Sequence, residues 1–140
     1  LIRGCFNIVR QYKEPPKESE LIVLVKAKDL IKYTLDITDS KKFPKKTRFT
    51  FVNRLQDKTL SVYEYLLGAN EIFPRNPLEK DERRKLQVKA LTVMKQILFL
   101  IELSYGKEYI TSQNCETWTK AVLDVKYTTA AWMKNDNQRF

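Results

Sequence analysis

The sequence predicts an all-α fold, an antiparallel up-down-up-down bundle of four helices. Three observations carry that expectation. Four long stretches place apolar residues at three- and four-residue spacing, the period of one helix face. Prolines at 15, 16, 44, 74 and 77 fall outside those stretches and punctuate them. The connecting segments are short, which favours adjacent packing of consecutive helices. At 140 residues the chain has the length of one domain, enough to bury a single sizeable core.

Residues 1–20 end in the polar, proline-containing KEPPKESE and read as an N-terminal arm or linker. The bundle is expected over residues 21–134. Helix one spans about Leu21 to Asp39, with Leu24, Ala27, Ile31, Thr34 and Leu35 on its apolar side, and it stops in DSKKFPKK. Pro44 disfavours α geometry for Phe43. Thr47 is the expected N-cap of helix two, about Arg48 to Asn70, whose apolar set is Phe51, Val52, Leu55, Thr59, Val62, Tyr63 and Leu66. Gly68 is expected near the end of that helix. Asn76 as N-cap, Pro77 at the first helical position and Glu79 two residues later form the clearest start signal in the chain. Helix three runs from there to about Tyr105, with Gly106 as the expected stop. Thr111 or Ser112 caps helix four, which carries Cys115, Trp118, Val122, Val125, Thr129 and Trp132 to about Lys134. Residues 135–140 read as a polar, frayed tail.

Composition excludes several kinds of chemistry. The chain has no histidine, which removes His general bases, Ser–His and Cys–His pairs and His-ligated metals. Cys5 and Cys115 are too far apart in sequence to make a C-x-x-C motif. Three glycines leave no phosphate-cradling loop. Glu79, Asp81 and Glu82 crowd the first turn of helix three, where they complement the helix dipole. Neither an enzyme, a metal nor a cofactor is expected. No apolar run is long enough to span a bilayer, and the opening LIRGCFNIV is too short and polar for a signal peptide. Two cysteines without evident pairing point to a cytoplasmic setting.

The net charge of +9 is unevenly spread. Residues 41–58 carry Lys41, Lys42, Lys45, Lys46, Arg48, Arg54 and Lys58 against Asp57 alone. Residues 75–95 carry Arg75, Lys80, Arg83, Arg84, Lys85, Lys89 and Lys95 against Glu79, Asp81 and Glu82, whereas the last third of the chain is balanced. In an up-down bundle the start of helix three lies far from the loop before helix two. A stripe along helices two and three is therefore expected rather than one compact patch. Such a stripe suits phosphate backbones of RNA or DNA; the alternative is a structural or protein-interaction bundle whose charge serves solubility. A stacking platform can be drawn from Phe49 and Phe51 beside Arg48 and Arg54. Residues two apart do not share a helix face, which assigns Phe51 to the core and weighs against stacking.

Helix three carries two adjacent seams, one of Leu91, Met94, Leu98, Ile101 and Tyr105, the other of Ala90, Val93, Ile97, Leu100 and Ser104, with Phe99 beside them. That face is wider than one packed core requires. Either the bundle buries this helix on most sides, or one seam meets another copy of the chain.

From about Leu21 to Met133 the chain resembles a four-helix-bundle family. That family includes the accessory variability determinant proteins of diversity-generating retroelements and proteins encoded in 23S rRNA intervening sequences. The resemblance lies in ELIVLVKAKDLIKYT, KFPKKTRFTFVNRL, ALTVMKQILFLIELSYGKEYIT and TTAAWMK, in that order and spacing. It implies a non-enzymatic, homopentameric ring of bundles that binds a reverse transcriptase and nucleic acid. It also implies a basic L-R-x-x-L-R-like pattern on helix three. In MKQILF, Lys95 matches its first basic position, and Phe99 stands where the second is expected. That departure moves the expected site to Lys85, Lys89 and Lys95, with Arg84 and the basic entry to helix two, Lys45, Lys46, Arg48, Arg54 and Lys58. The expected subunit interface is the seam of Ala90, Val93, Ile97 and Leu100.

Overall fold

Each of four sequence stretches buries one line of residues at alternating steps of four and three. The lines are Val23, Ala27, Leu30, Thr34 and Ile37; Leu55, Thr59, Val62, Leu66 and Ala69; Arg83, Gln87, Ala90, Met94, Ile97, Ile101 and Ser104; and Trp118, Val122, Val125, Thr129, Trp132 and Asp136. Steps averaging 3.5 residues keep one seam pointed inward along a helix and suit knobs-into-holes packing. A computed structural model describes residues 18–39 and 41–140. Their regular structure is wholly helical: α1 (Glu18–Thr38), α2 (Asn53–Glu71), α3 (Pro77–Gly106) and α4 (Ser112–Arg139), with a short 3-10 turn and a π turn ahead of α2. The four-helix bundle is therefore as expected. Residues 1–17, most of the expected arm, lie outside the described residues, and α1 already begins at Glu18.

The helices pack in a ring, α1 on α2, α2 on α3, α3 on α4 and α4 back on α1. Polar contacts mark each seam. Trp118 donates its indole N–H to Thr34 Oγ1 at 3.0 Å, and Lys26 donates to Thr128 Oγ1 at 3.2 Å, joining α1 to α4. Gln56 donates to Thr38 Oγ1 at 2.9 Å, joining α1 to α2. Between α2 and α3, Lys58 Nζ donates to Gln96 Oε1 at 2.8 Å. Gly68 lies against Leu86, whose Cδ1 would be 3.4 Å from an added Cβ. Gly68 thus sits near the end of α2, as expected, at its contact with α3, and the helix closes three residues later at Glu71. Fully buried Leu30, Leu55, Leu66, Met94, Ile97 and Ile101 fill the interior with both tryptophans, each such aliphatic side chain contributing about 1.5–3 kcal/mol.

The structure differs from the sequence reading in several local features. In α1 the buried line runs through Val23 and Leu30, while Ile31 is half-buried and Leu35 exposed. The inward line takes Val23 and Leu30 in place of Leu24 and Ile31, one position earlier along the helix, because the four-three steps through Ala27, Thr34 and Ile37 pass through them. Thr47 does not cap α2. Pro44, at φ −59° and ψ 145°, turns the chain into the 3-10 turn Lys45–Thr47. The Thr47 hydroxyl there donates to the Pro44 carbonyl at 2.6 Å. The π turn Arg48–Val52 follows, with Asn53 N–H donating to the Arg48 carbonyl.

α3 ends at Gly106, but Gly106 is not the left-handed residue that stops it. Lys107 caps it, and the left-handed residue is Glu108, at φ 64°. Tyr109 N–H reaches the Ser104 carbonyl and Glu108 N–H the Tyr105 carbonyl, both at 2.9 Å. This is a Schellman end with a non-glycine residue in the strained position. The start of α3 is as read: Asn76 Oδ1 accepts from Glu79 N–H at 2.9 Å with Pro77 in the first turn. Thr111 Oγ1 accepts from Asn114 N–H at 3.0 Å at the start of α4. That helix continues through the expected tail to Arg139, because Asp136 extends the buried line one step past Trp132.

Candidate nucleic-acid interface

The nine basic residues singled out in the sequence occupy three places. Lys45, Lys46 and Arg48 stand exposed on consecutive turns ahead of α2. Arg54 and Lys58 follow on α2, and Lys58 lies against α3 through Gln96. On α3, Lys85 and Lys89 share a face at one helical turn. Lys89 lies over the Tyr65 ring of α2, 5.8 Å from its centroid, and so belongs to the same α2–α3 seam as Lys58. Arg84 and Lys95 are offset from that face by the 100° turn per residue. Arg84 points the other way, to Asn137 of α4 at 3.5 Å.

Their electrostatic states differ as well. Lys85 is paired with Asp81 one turn earlier at 3.0 Å. No carboxylate partners Lys45, Lys46, Arg48, Arg54, Lys89 or Lys95 among the described residues. The cations without carboxylate partners thus stand at the entry to α2 and on α3, where Lys89 lies on the flank toward α2 and Lys95 on the opposite flank with Arg84. Such charges bind phosphate oxygens without choosing a sequence.

The seam expected at a subunit interface is occupied within the chain. Ala90 and Ile97 are fully buried, Leu100 nearly so, and Val93 is half-buried against the same core. The buried line of α3 takes members of both seams, because α2 packs on one flank of the helix and α4 on the other. That double flank accounts for the wide apolar face. Val88, Phe99 and Leu103 remain outside, with Phe99 61% exposed. Phe99 carries no charge for a phosphate, so the departure from the basic pattern stands at the surface.

One basic residue counted in the charge excess is not at the surface. Arg83 is 4% exposed and Asp136 6%. Arg83 Nε and Nη2 each donate to one oxygen of the Asp136 carboxylate at 2.8 Å, a bidentate pair. Arg83 Nη1 donates to the Ile72 carbonyl at 3.0 Å, and Gln87 Nε2 adds a third bond to Asp136 at 3.0 Å. The guanidinium carbon lies 4.9 Å from the Trp132 ring centroid. The signal was in the sequence: Arg83, Gln87 and Ala90 continue the four-three steps of α3 backwards, and Asp136 continues those of α4 forwards.

Nearby, Arg75 and Glu79 form an exposed pair at 3.0 Å. The Arg75 guanidinium, hydrogen-bonded to Glu79, holds that carboxyl below the usual range. Any stability the pair adds is present above the ordinary carboxylate pKa and is lost as pH falls through the lowered one. Burial pushes the Tyr33 hydroxyl up, partly offset by its bond with Thr117. Cys115 is a half-buried free thiol in the first turns of α4, and Cys5 lies outside the described residues. Among the described residues no three metal-ligating side chains gather, and no helix is long and apolar enough to cross a membrane. Comparisons with protein-family models, curated proteins and solved structures return no match.

Proposed function

We propose that this chain is a non-enzymatic, cytoplasmic accessory protein that binds a reverse transcriptase and nucleic acid through basic helix surfaces. It would act as a homo-oligomeric ring, a pentamer, of antiparallel up-down-up-down bundles, in a diversity-generating retroelement. The single observation that carries the reading is the set of exposed cations without carboxylate partners among the described residues, Lys45, Lys46, Arg48 and Arg54 at the entry to α2 and Lys89 and Lys95 on α3. An unpaired surface cation interacts readily with phosphate, and releasing counterions from the nucleic acid drives the association.

Two further features support parts of the reading. The antiparallel course accords with the seams, since the first turns of α3 touch the last turns of α4 through Arg83 and Asp136. With Ala90, Ile97 and Leu100 inside the bundle, contact between copies falls to the exposed strip of Val88, Phe99 and Leu103. The partner polymerase and the ring rest on the family resemblance over residues 21–133.

The test is fluorescence anisotropy with labelled RNA across a salt series. Six phosphate contacts predict a slope of log affinity against log salt of about −4 for a single strand. Lys45→Glu with Lys46→Glu and Lys89→Glu should weaken binding at least tenfold and flatten the slope, with far-UV helicity unchanged. Binding that ignores salt, or no binding at low salt, would discard the phosphate-contact reading in favour of a protein-interaction bundle.

A further inference from the structure

The entry to α2 holds an exposed ring that the fold does not use. Phe49 is 77% exposed, the most exposed of the large hydrophobic side chains among the described residues. It has no ring or cation partner among the described residues. The residues around it alternate sharply. Phe43 and Thr47 are buried, and Phe51 packs edge-on to Tyr109 at 5.3 Å. Lys45, Lys46, Arg48, Phe49 and Thr50 face outward. The chain here is a 3-10 turn followed by a π turn, closed by the Asn53-to-Arg48 bond. Two residues apart on such a turn, as on an α-helix, Phe49 and Phe51 face opposite ways, so Phe51 is anchored inward while Phe49 stands out.

We infer that Phe49, with Lys45, Lys46 and Arg48, forms a stacking site for a base of single-stranded nucleic acid, whose flanking phosphates the three cations hold. The inference rests on the proposed nucleic-acid binding and names the strand state that this part of the surface takes. A lone ring standing clear of the surface offers a face to an unstacked base; in a duplex that face is already occupied by a neighbour. The turn is anchored from beneath by Phe43, Thr47 and Phe51, so little ordering is left for binding to supply. An anionic lipid surface is less well matched. Interfacial binding draws on a continuous apolar face, and Phe49 is here surrounded by Lys, Arg and Thr.

Anisotropy with three labelled probes tests this: an oligoadenylate, an abasic strand of the same length, and a duplex. The wild-type chain should bind the oligoadenylate roughly tenfold tighter than the abasic strand. Phe49→Ala should erase that difference and leave abasic affinity unchanged. Phe49→Trp should preserve it, with indole fluorescence quenched on binding. Equal affinity of the wild type for base-bearing and abasic strands, or a preference that survives Phe49→Ala, overturns the stacking site while leaving phosphate binding in place. Failure to bind any strand at low salt overturns both readings together. Loss of binding to phosphatidylserine vesicles in Phe49→Ala, with oligoadenylate binding intact, would assign the ring to a membrane surface and overturn the inference.

Discussion

The two ends of the bundle are closed by opposite chemistry. At one, the end of α2, the start of α3 and the end of α4 meet around Arg83 and Asp136, with Trp132 beneath the guanidinium and Phe73 edge-on to Phe140 at 5.9 Å. At the other, the turns before α2 and the loop after α3 meet around Tyr109, whose ring contacts Phe43 at 5.7 Å and Phe51 at 5.3 Å. The aromatic end gains stability in proportion to contact area and tolerates imperfect geometry. The ionic end is conditional. Two charges out of water are costly, and only a complete set of partners offsets that cost. Arg83 and Asp136 have such a set in two backbone-fixed helices, Gln87 and the Ile72 carbonyl. One end is thus forgiving and the other all-or-none.

The largest expected effect breaks the ionic end. Asp136→Ala leaves a buried guanidinium without its carboxylate and should cost about 3–5 kcal/mol in urea-melt stability. The double variant Arg83→Met with Asp136→Leu should recover most of that loss, because an apolar pair of similar volume leaves no charge to desolvate. If the single variant loses less than about 1 kcal/mol, the two ends do not differ in kind. An intermediate effect is expected at the aromatic end. Tyr109→Leu keeps an apolar side chain but removes two ring pairs, and should lower stability by about 2 kcal/mol in the same melt. A loss as large as that of Asp136→Ala would mean that this end is no more forgiving than the other. The smallest effect has the opposite sign. Glu108→Gly relieves the left-handed residue beside Tyr109 and should raise stability by about 1 kcal/mol, read as a rise in the thermal midpoint. No gain would show that neighbouring contacts already compensate the strain at φ 64°.

These contrasts also explain what the sequence disclosed. The helices, the Asn76–Pro77–Glu79 start and the Thr111 cap were legible because spacing and capping are local. The buried line of α4 was legible as far as Trp132 for the same reason. The ionic end was missed although Arg83 and Asp136 continue the four-three steps of their helices, because each charge reads alone as solvated and is offset only by a partner 53 residues away. The face of α3 was misassigned between two seams, since periodicity reports that a face is apolar but not how many neighbours cover it. In the candidate site, the uneven charge was visible as a count. Which cations remained unpaired, and which faces they shared, depended on Gln96, Tyr65, Asp81 and Asn137, partners that no spacing rule reveals. Phe49 was paired with Phe51 and discounted because residues two apart do not share a face; the structure keeps that division, with Phe51 inward and Phe49 alone at the surface.

The distance between Arg83 and Asp136 along the chain has a consequence during synthesis. At roughly 5–20 residues per second, several seconds pass between the appearance of the arginine and that of its carboxylate. Over that interval α1, α2 and most of α3 can associate, but the position that will bury Arg83 still lacks the Asp136 carboxylate and the Trp132 ring. The last turns of α4 therefore act as a completion signal. Until residue 136 emerges, the nascent bundle has one end whose bidentate pair is not yet formed.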